Sequence, residues 1–392
     1  MTTARRFAAF PLVLLVLLAM PQPVFADVPI VVGNGTAASC TEVTLESALD
    51  IARASDGGRI RFSCGRHPIT IAVTATLSVP NNTTIDGGGL ISLDGGSRVT
   101  IVSVDRNSTV LLKNLGFSHG PASVFGTGTG GVFDFDGGAV FNEGRLTIDN
   151  NIFSASKSPL NEGAVGILNR GALAVKNSTF SDNDDGIANA GTLVITNTVF
   201  SENGGIAIFN GGPLGVDRSR FSGNGGGIFS FGNATFPFPV TVESSTFSGN
   251  HGAGIDNLSG SLLTIKSSKF SDNDSDGVVL GCCSFAVVDN SQFSGNGGNG
   301  MSNHGQATVR NSSFFSNSGL GISSFIEAIT IEKSAIFRNR SGGIFNAGSL
   351  TIRNSTITQN TGGGGIFSCC GGIILELDHT VVSGNEPFNI LP

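Results

Sequence analysis

Carboxylates that recur at one position of a repeated motif are the residues of this sequence best placed to do chemistry. Two of them, Asp182 and Glu202, form an acidic cluster with Asp184 and Asp185, which lie just beyond in the same turn. Asp182 and Glu202 each follow a motif Phe by two positions, so stacked repeats would place them about 5 Å apart. That separation suits a retaining glycosidase, a hard cation, or a solvated turn that includes an ion pair with Lys157. We expect the solvated turn and assign no catalytic residue.

A second acidic run matches the opening of a calcium-binding loop. Asp272, Asp274 and Asp276 alternate before Gly277, as the oxygen ligands of such loops do. The twelfth position is Cys283, where a bidentate Glu is expected, so the ligand set is incomplete. Asp272 and Asn273 are also the turn residues of the repeat itself. We therefore expect no cofactor and keep the three carboxylates as a candidate calcium site.

One histidine is also placed to meet a carboxylate. His251 lies one repeat before Asp274 at the same offset, which would bring an imidazole beside an acid, as in a general base. No Ser, Cys or Lys is positioned as its nucleophile. We expect a solvated turn histidine.

The element that must position these residues is a repeat of about 22 residues. Its motif is Phe-Ser-x-Asn, first complete at Phe180 and degraded by Val382. A short alternating apolar stretch precedes the motif, and Gly-Gly-Ile-Phe-Asn or a variant follows it, which predicts short strands joined by turns. One unit cannot close a core, but stacked units can. The pattern predicts an all-β fold, a single-stranded right-handed parallel β-helix with inward motif Phe.

The motif Asn falls at a turn, where its amide can bond the amide of the next coil. We predict a structural ladder rather than a polar binding strip, made of Asn183, Asn203, Asn224, Asn250, Asn273, Asn296, Asn317, Asn339, Asn360 and Asn385.

The chain divides into three parts by composition. Residues 1–26 read as a signal peptide, with Arg5 and Arg6 before an apolar run and a small-residue cleavage site ending at Ala26. Residues 27–66 form an N-terminal cap with a short helix over 44–52, whose N-cap would be Thr44. Residues 67–392 hold the repeats. No later segment is long and apolar enough to span a bilayer.

Six cysteines in an exported chain are expected to be partly oxidised. Cys40 and Cys64 flank the cap helix and a strand, and we pair them. The vicinal pairs Cys282-Cys283 and Cys369-Cys370 fall in equivalent turns four coils apart, too far to bridge each other. Turn packing and a strained vicinal bridge remain open for both.

The amino-acid composition limits the kinds of ligand that this protein could bind. The 392 residues include 57 Gly and 29 Phe but no Trp or Tyr, and the net charge of −7 excludes a basic nucleic-acid surface. Sugar-stacking aromatics should then be sought among Phe outside the core. The insertion Phe236-Pro237-Phe238-Pro239 is the candidate, either as a lip for a partner or as cover for a long turn. A second insertion, residues 116–136, is predicted to form a side lobe.

Two stretches carry a family resemblance. The cap helix, Gly57–Phe62, Ile69–Ile71 and Asn82–Gly89 together resemble the N-terminal portion of pectin-lyase-like β-helix proteins. Phe-x-x-Asn with Gly-Gly-Ala-Val, ending at Val140, is similar to the repeats of polymorphic outer membrane proteins. The resemblance implies the fold over nearly the whole mature chain. It carries no activity over, because a pectate-lyase signature built on Trp is absent and no polygalacturonase-like set of acids, His and Arg-x-Lys occurs.

These observations predict a secreted or cell-surface β-helix repeat protein that is non-catalytic and binds a polysaccharide or an envelope partner. A polysaccharide lyase or glycoside hydrolase is the alternative, supported by fold analogy. No nucleic-acid partner and no transmembrane segment are expected, and the sequence does not determine the oligomeric state.

Overall fold

The computed structural model describes residues 29–121, 124–127, 133–136, 138–158, 164–232, 237–258, 260–325, 327–369 and 373–391. The expected signal peptide, residues 1–26, lies outside these ranges.

Within the described residues, the chain winds through successive coils whose strands form three parallel columns. The first and second columns belong to one sheet, joined where β5 and β7 are long enough to span both. The third column is a separate sheet.

The first column contains β1 (Pro29–Val32), β2 (Gly58–Phe62), β5 (Thr83–Asp94), β7 (Thr109–Ser118), β11 (Arg145–Asp149), β14 (Ala172–Lys176), β17 (Thr192–Thr196), β20 (Leu214–Asp217), β23 (Pro239–Glu243), β26 (Leu262–Lys266), β29 (Phe285–Asp289), β32 (Gln306–Arg310), β35 (Ala328–Glu332), β38 (Ser349–Arg353) and β41 (Ile373–Asp378). The second column contains β3 (Ile69–Ala72), the later parts of β5 and β7, β12 (Ile152–Ser154), β15 (Thr179–Ser181), β18 (Val199–Ser201), β21 (Arg220–Ser222), β24 (Thr246–Ser248), β27 (Lys269–Ser271), β30 (Gln292–Ser294), β33 (Ser313–Phe315), β36 (Ala335–Phe337), β39 (Thr356–Thr358) and β42 (Val381–Ser383).

The third column contains β4 (Leu77–Ser78), β6 (Val102–Val104), β10 (Val140–Asn142), β13 (Val165–Asn169), β16 (Asp185–Asn189), β19 (Ile206–Asn210), β22 (Gly226–Ser230), β25 (Ile255–Asn257), β28 (Val278–Leu280), β31 (Met301–Asn303), β34 (Ile322–Ser324), β37 (Ile344–Asn346), β40 (Ile366–Ser368) and β43 (Ile390–Leu391). An antiparallel hairpin, β8 (Val124–Thr127) with β9 (Phe133–Asp136), lies in the second predicted insertion. This architecture confirms the predicted all-β parallel solenoid.

The motif Phe residues fill the core as one continuous stack. Nine of them are fully buried, and successive ring centroids lie 4.4 to 4.9 Å apart with nearly parallel planes. They are Phe117, Phe153, Phe180, Phe200, Phe221, Phe247, Phe270, Phe293 and Phe314. Ile336 and Ile357 continue the same register. Burying a ring in every coil removes a large apolar area from water, so this stack is a main source of the fold's stability.

Glycine in the third column makes room for that stack. A Cβ on Gly186 would lie 2.9 Å from Cδ1 of Phe200, and one on Gly227 would lie 2.7 Å from Cδ1 of Phe247. Both distances are shorter than a carbon–carbon contact of about 3.5–4.0 Å. An added Cβ would also lie 2.4 Å from the Ala207 carbonyl oxygen at Gly186 and 2.1 Å from the Gly254 carbonyl oxygen at Gly227. The glycine before the inward Ile is therefore required both by the backbone of the next coil and by the Phe ring.

Ladders of Asn side chains provide hydrogen-bond partners for the polar groups of the buried turns. Asn183 Nδ2 donates to Asn203 Oδ1 at 3.0 Å and to the Phe153 carbonyl at 3.1 Å, and the same bonds recur from coil to coil as far as Asn385. A second ladder, which the sequence reasoning missed, begins with Asn142 Nδ2 donating to Asn169 Oδ1 at 2.6 Å. Both ladders give buried amides the partners that they need.

The N-terminal cap contains a short 3-10 turn, Ala37–Ser39, and one helix, α1, Glu42–Ala54. Its buried face is the predicted one, Leu45, Ala48, Leu49 and Ala52. The predicted N-cap was wrong: Thr41 caps the helix, and Thr44 is its partner in a reciprocal capping box. Thr44 N–H donates to Thr41 Oγ1, and Thr41 N–H donates to Thr44 Oγ1, so the helix begins three residues earlier than the apolar pattern indicates.

The predicted Cys40–Cys64 disulfide is confirmed, with Cα atoms 5.7 Å apart. It ties Cys40, which directly follows the 3-10 turn, to Cys64, two residues after the end of β2. The solenoid begins before the expected boundary at residue 67, because β1 pairs with β2 and β2 pairs with β5 in the same parallel register as later coils.

Candidate functional site

The predicted acidic cluster separates into residues with different roles. Asp182 and Glu202 occupy turn positions with φ of 58° and 55° and are exposed. Asp182 forms an ion pair with Lys157. Asp184 Oδ2 accepts the backbone N–H groups of Ser158 at 2.6 Å and Ala164 at 3.0 Å. These contacts support turn and loop structure, because each carboxylate is directed to its own partner.

Asp185 is the member of the cluster in an unusual environment. Its Oδ1 accepts the N–H of Ile206 at 2.6 Å. Burial raises its pKa to about 6, the neighbouring Asp184 charge adds to the rise, and the hydrogen bond from Ile206 opposes it. The group therefore ionises near neutrality, at a cost set by desolvation.

The three carboxylates of the calcium-like run also have separate surroundings. Asp272 is an exposed turn residue with φ of 58°. Asp274 Oδ2 lies 3.0 Å from Nδ1 of His251, an exposed pair, as their common offset suggested. Asp276 Oδ1 accepts a hydrogen bond from the backbone N–H of Asn299 in the next coil. No group of three or more His, Cys, Asp or Glu side chains among the described residues lies in a metal-binding arrangement. Calcium binding by this run stays a prediction.

The feature that the sequence reasoning missed is the outer face of the third column. Each inward Ile, Val or Met of this column is followed by a residue that points outward, and the register aligns these residues from coil to coil. From β19 to β40 they are Phe209, Phe229, Asp256, Val279, Ser302, Ser323, Phe345 and Phe367. Ser302 and Ser323 are buried, with 7% and 2% exposure, while the other six residues are partly exposed. The result is an outer strip with partly exposed aromatic rings at both ends and with Asp256 and Val279 partly exposed in its middle.

The first aromatic row consists of Phe209, Phe229 and Phe231. The rings of Phe209 and Phe229 stack with centroids 4.9 Å apart, and Phe231 tilts against both at 5.3 and 6.2 Å. All three are partly exposed. Phe209 also packs on a small outer apolar cluster of Val165, Leu168 and Ala188. This packing fixes the position of the Phe209 ring.

The second aromatic row consists of Phe325, Phe345, Phe367 and Phe388. Successive centroids lie 5.4, 5.8 and 6.2 Å apart, with the rings tilted or edge-on. His304 stacks on Phe325 at 4.5 Å and extends the row toward the middle of the strip. All four Phe rings are partly exposed, which is an unusual density of aromatic surface for an isolated protein.

Between the rows lies an acidic patch of Asp256, Asp276, Asn299 and Ser302. Asp276 Oδ1 accepts the backbone N–H of Asn299 at 2.6 Å, and its Oδ2 accepts the hydroxyl of Ser302 at 2.5 Å. Asn299 Nδ2 donates to Ser302 Oγ at 2.9 Å, and its Oδ1 accepts the N–H of Leu320 at 2.7 Å. The Asp276 carboxylate is thus fixed in orientation by neutral donors.

Asp256 is the less satisfied of the two acids. Its Oδ1 is buried and has no hydrogen-bond partner within the described part of the chain. Burial raises the pKa of Asp256, and the negative charge of Asp276 raises it further. No ion pair among the described residues includes either acid. The patch therefore carries negative charge that the protein does not neutralise.

Period-two alternation contained the signal for the aromatic rows. In Gly-Gly-Ile-Phe-Asn the Ile is inward, so the next residue must face outward. The sequence predicts a core position for the Phe of Phe-Ser-x-Asn, and we made no prediction for the Phe of Gly-Gly-Ile-Phe-Asn. The acidic patch had no such signal, because Asp256 and Asp276 lie at offsets that differ by three positions in neighbouring coils.

Other predicted features lie elsewhere. Phe238 packs on the core, while Phe236 lies outside the described residues, so the structure gives Phe238 the covering role. Cys282 and Cys283 form an exposed vicinal pair without a disulfide, and Cys370 lies outside the described residues. An open cleft of about 300 Å³ near the cap is lined by Arg61, His67 and Asp86 among others.

Asp86 beside that cleft is already engaged. Burial raises its pKa, but hydrogen bonds from Asn114, Lys113 and the Gly88 N–H outweigh burial and lower it. Lys113 Nζ lies 3.1 Å from its Oδ2. This carboxylate serves the structure of β5 and β7, so the cleft is a weaker candidate than the outer strip.

The parallel coils define the protein as a β-solenoid. A family model described as a right handed beta helix region matches residues 69–261 and 227–386. The chain therefore belongs to the right-handed β-helix family, as the sequence resemblance to pectin-lyase-like proteins implied. No curated protein sequence matches the chain.

Solved structures share the fold at low sequence identity. The catalytic unit of an α-1,3-glucanase from Streptomyces thermodiastaticus matches with a TM-score of 0.55 and 14% identity, over 94% of this chain and 70% of that chain. The A-module of a mannuronan C-5 epimerase from Azotobacter vinelandii matches with a TM-score of 0.44 and 14% identity, over 92% and 95%. The tailspike protein 3 of bacteriophage CBA120 matches at 0.46 and 12%, over 92% and 61%. No helix among the described residues is long and apolar enough to cross a membrane.

Proposed function

We propose that this protein is a non-catalytic binding protein that holds a polysaccharide along the outer strip of the third column. The observation that carries the proposal is the pair of partly exposed aromatic rows, Phe209 to Phe231 and Phe325 to Phe388, on one face of the solenoid. An extended polymer can contact many coils at once, since each coil repeats the surface about every 4.8 Å.

Aromatic rings suit this role for a physical reason. A pyranose ring presents apolar C–H groups on its faces, and these pack on the flat face of an aromatic side chain while hydroxyl groups stay hydrated. With no Trp or Tyr in the sequence, Phe is the residue that can provide such platforms. A partly exposed polar group between the rows, such as Asn299, would fix the orientation of the bound chain.

The proposed site of action is outside the cytoplasm. The signal peptide predicted over residues 1–26 and the Cys40–Cys64 disulfide both support export, since disulfides persist in oxidising compartments. Intact-mass measurement of the exported protein would test this, and a mass that still includes residues 1–26 would contradict it.

Binding should depend on the two aromatic rows. The mature protein is tested against a broad polysaccharide panel by affinity electrophoresis, beside the variants Phe229→Ala and Phe345→Ala. Each variant should weaken binding by roughly tenfold or more, as loss of an aromatic anchor does. Phe337→Ala is the matched control, because Phe337 and Phe315 form a stacked, partly exposed pair at 4.9 Å on the second column.

Two results would contradict the proposal. The first is absence of binding to every polysaccharide of the panel. The second is an equal effect of Phe337→Ala and the two strip variants, which would mean that the outer strip has no special role.

The alternative function, a polysaccharide lyase or glycoside hydrolase, has one observation in its favour. Burial and the charge of Asp276 raise the pKa of Asp256, and a carboxyl group with a raised pKa is the usual general acid of such enzymes. Product release in the binding assay would establish the alternative if Asp256→Asn and Asp276→Asn abolish it. The same assay on Asp182→Asn tests the cluster that the sequence suggested.

A further inference from the structure

The outer strip has a charge pattern that selects among polysaccharides. Its centre holds two carboxylates: Asp276, which accepts hydrogen bonds from the neutral donors Asn299 and Ser302, and Asp256, whose Oδ1 has no partner among the described residues. Both residues are partly exposed. The protein as a whole has a net charge of −7, so acidic residues outnumber basic ones.

The surroundings of the patch offer little compensation. Neighbouring outward positions in the strip are Val279 and Ser323, which are uncharged, and Asn299 and Ser302 are neutral. Along the chain, the nearest titratable residues are His251 and Asp274, which pair with each other, and Asp272, an exposed carboxylate. His304, further along the chain, stacks on Phe325. A ligand that lies across both aromatic rows must therefore pass over uncompensated negative charge.

Binding of an anionic polymer across this patch would be disfavoured. Uronate carboxylates brought against Asp256 and Asp276 would add like-charge repulsion in a partly desolvated groove, where Coulomb energies exceed those in water. A protonated amine would instead be attracted to the two acids, would donate hydrogen bonds to them, and could lie against a neighbouring Phe face.

Building on the carbohydrate-binding role proposed above, we propose that the outer strip binds a glycan that carries protonated amino groups, with its rings on the aromatic rows and its ammonium groups at Asp256 and Asp276. The specificity comes from charge complementarity, while the aromatic rows supply contact area common to many glycans.

The test uses three oligosaccharides of equal length: a glucosamine oligomer, its fully N-acetylated form and a galacturonate oligomer. Calorimetry of the mature protein near pH 6 should show the glucosamine oligomer binding roughly tenfold more tightly than the acetylated form, with the galacturonate oligomer weakest. The preference should shrink as salt increases, since screening weakens charge attraction.

The variants Asp256→Asn and Asp276→Asn should remove most of the preference for the glucosamine oligomer over its acetylated form. Asp272→Asn, an exposed turn carboxylate outside the strip, is the matched control and should retain the preference. Circular dichroism and urea midpoints establish that each variant is folded, and the salt series on the unmodified protein tests the same inference without any substitution.

Different results separate this inference from the proposed function. Galacturonate or acetylated oligomers that bind as tightly as glucosamine, and still lose affinity in Phe345→Ala, would overturn the amino-glycan specificity alone. Failure of the glucosamine oligomer when other members of the polysaccharide panel bind would do the same. Absence of Phe-dependent binding to any polysaccharide would overturn both.

Discussion

Replacing Asp185 with Asn should make the stability of this protein less dependent on pH. Asp185 is largely buried in β16 and its pKa is raised from 3.8 to about 6. The folded protein therefore binds this proton more tightly than the unfolded chain does. Stability should decrease as pH rises from about 4 to about 6, and the lost stability is not recovered at higher pH.

The size of this change in stability follows from the difference between the pKa of Asp185 in the folded protein and in the unfolded chain. A rise from 3.8 to about 6 is about 2 pH units, which corresponds to roughly 3 kcal/mol at 1.36 kcal/mol per unit. Asn keeps the oxygen that accepts the Ile206 N–H and carries no charge. Asp185→Asn should thus stabilise the protein by up to roughly 3 kcal/mol at pH 7 and have little effect near pH 4, where Asp185 is protonated.

Urea midpoints of the original protein and of Asp185→Asn, measured from about pH 4 to about pH 7, would show this difference in pH dependence. Asp182→Asn is the control, since Asp182 is exposed and pairs with Lys157 on the surface; its effect should be at most about 1 kcal/mol and lack the step near pH 6. Parallel pH profiles for the original protein and Asp185→Asn would refute the reasoning. So would destabilisation by Asp185→Asn at pH 7.

The remaining predictions concern the core and the cap. Gly186→Ala should destabilise by about 1–3 kcal/mol through its clash with the Phe stack, whereas Gly204→Ala, where a Cβ meets nothing closer than 3.9 Å, should change stability by less than about 1 kcal/mol; thermal denaturation of both compares them. Phe221→Ala should cost roughly 3–5 kcal/mol, and a urea midpoint close to that of the original protein would contradict the buried stack. Replacing Cys40 and Cys64 together by Ser should cost about 2–4 kcal/mol, and the same unfolding temperature with and without reductant would argue against the bond.

Much of the fold could be predicted because it is encoded in repeated local patterns. The period of the motif defines one coil, alternation assigns Phe221 and its equivalents to the inside, and turn chemistry places the Asn at the bend. The apolar face of α1 follows in the same way from its spacing. These features depend on neighbours along the chain or at the same position of the next coil, and sequence displays both.

The start of α1 shows the first limit of such reasoning. Thr41 and Thr44 are both suitable capping residues, and the apolar pattern begins only at Leu45. The choice of Thr41 depends on reciprocal hydrogen bonds between the two residues, which the pattern does not express.

The candidate site shows the larger limit. Asp182 and Glu202 share one offset, yet they lie on exposed turns where each side chain finds its own surroundings. Asp256 and Asp276 have different offsets, and only the path of the turn between the second and third columns brings them near each other on the outer strip. Sequence alone determined the stack, because inward packing repeats with the motif. Tertiary structure decided the site, because contacts between outward side chains at different offsets depend on turn geometry.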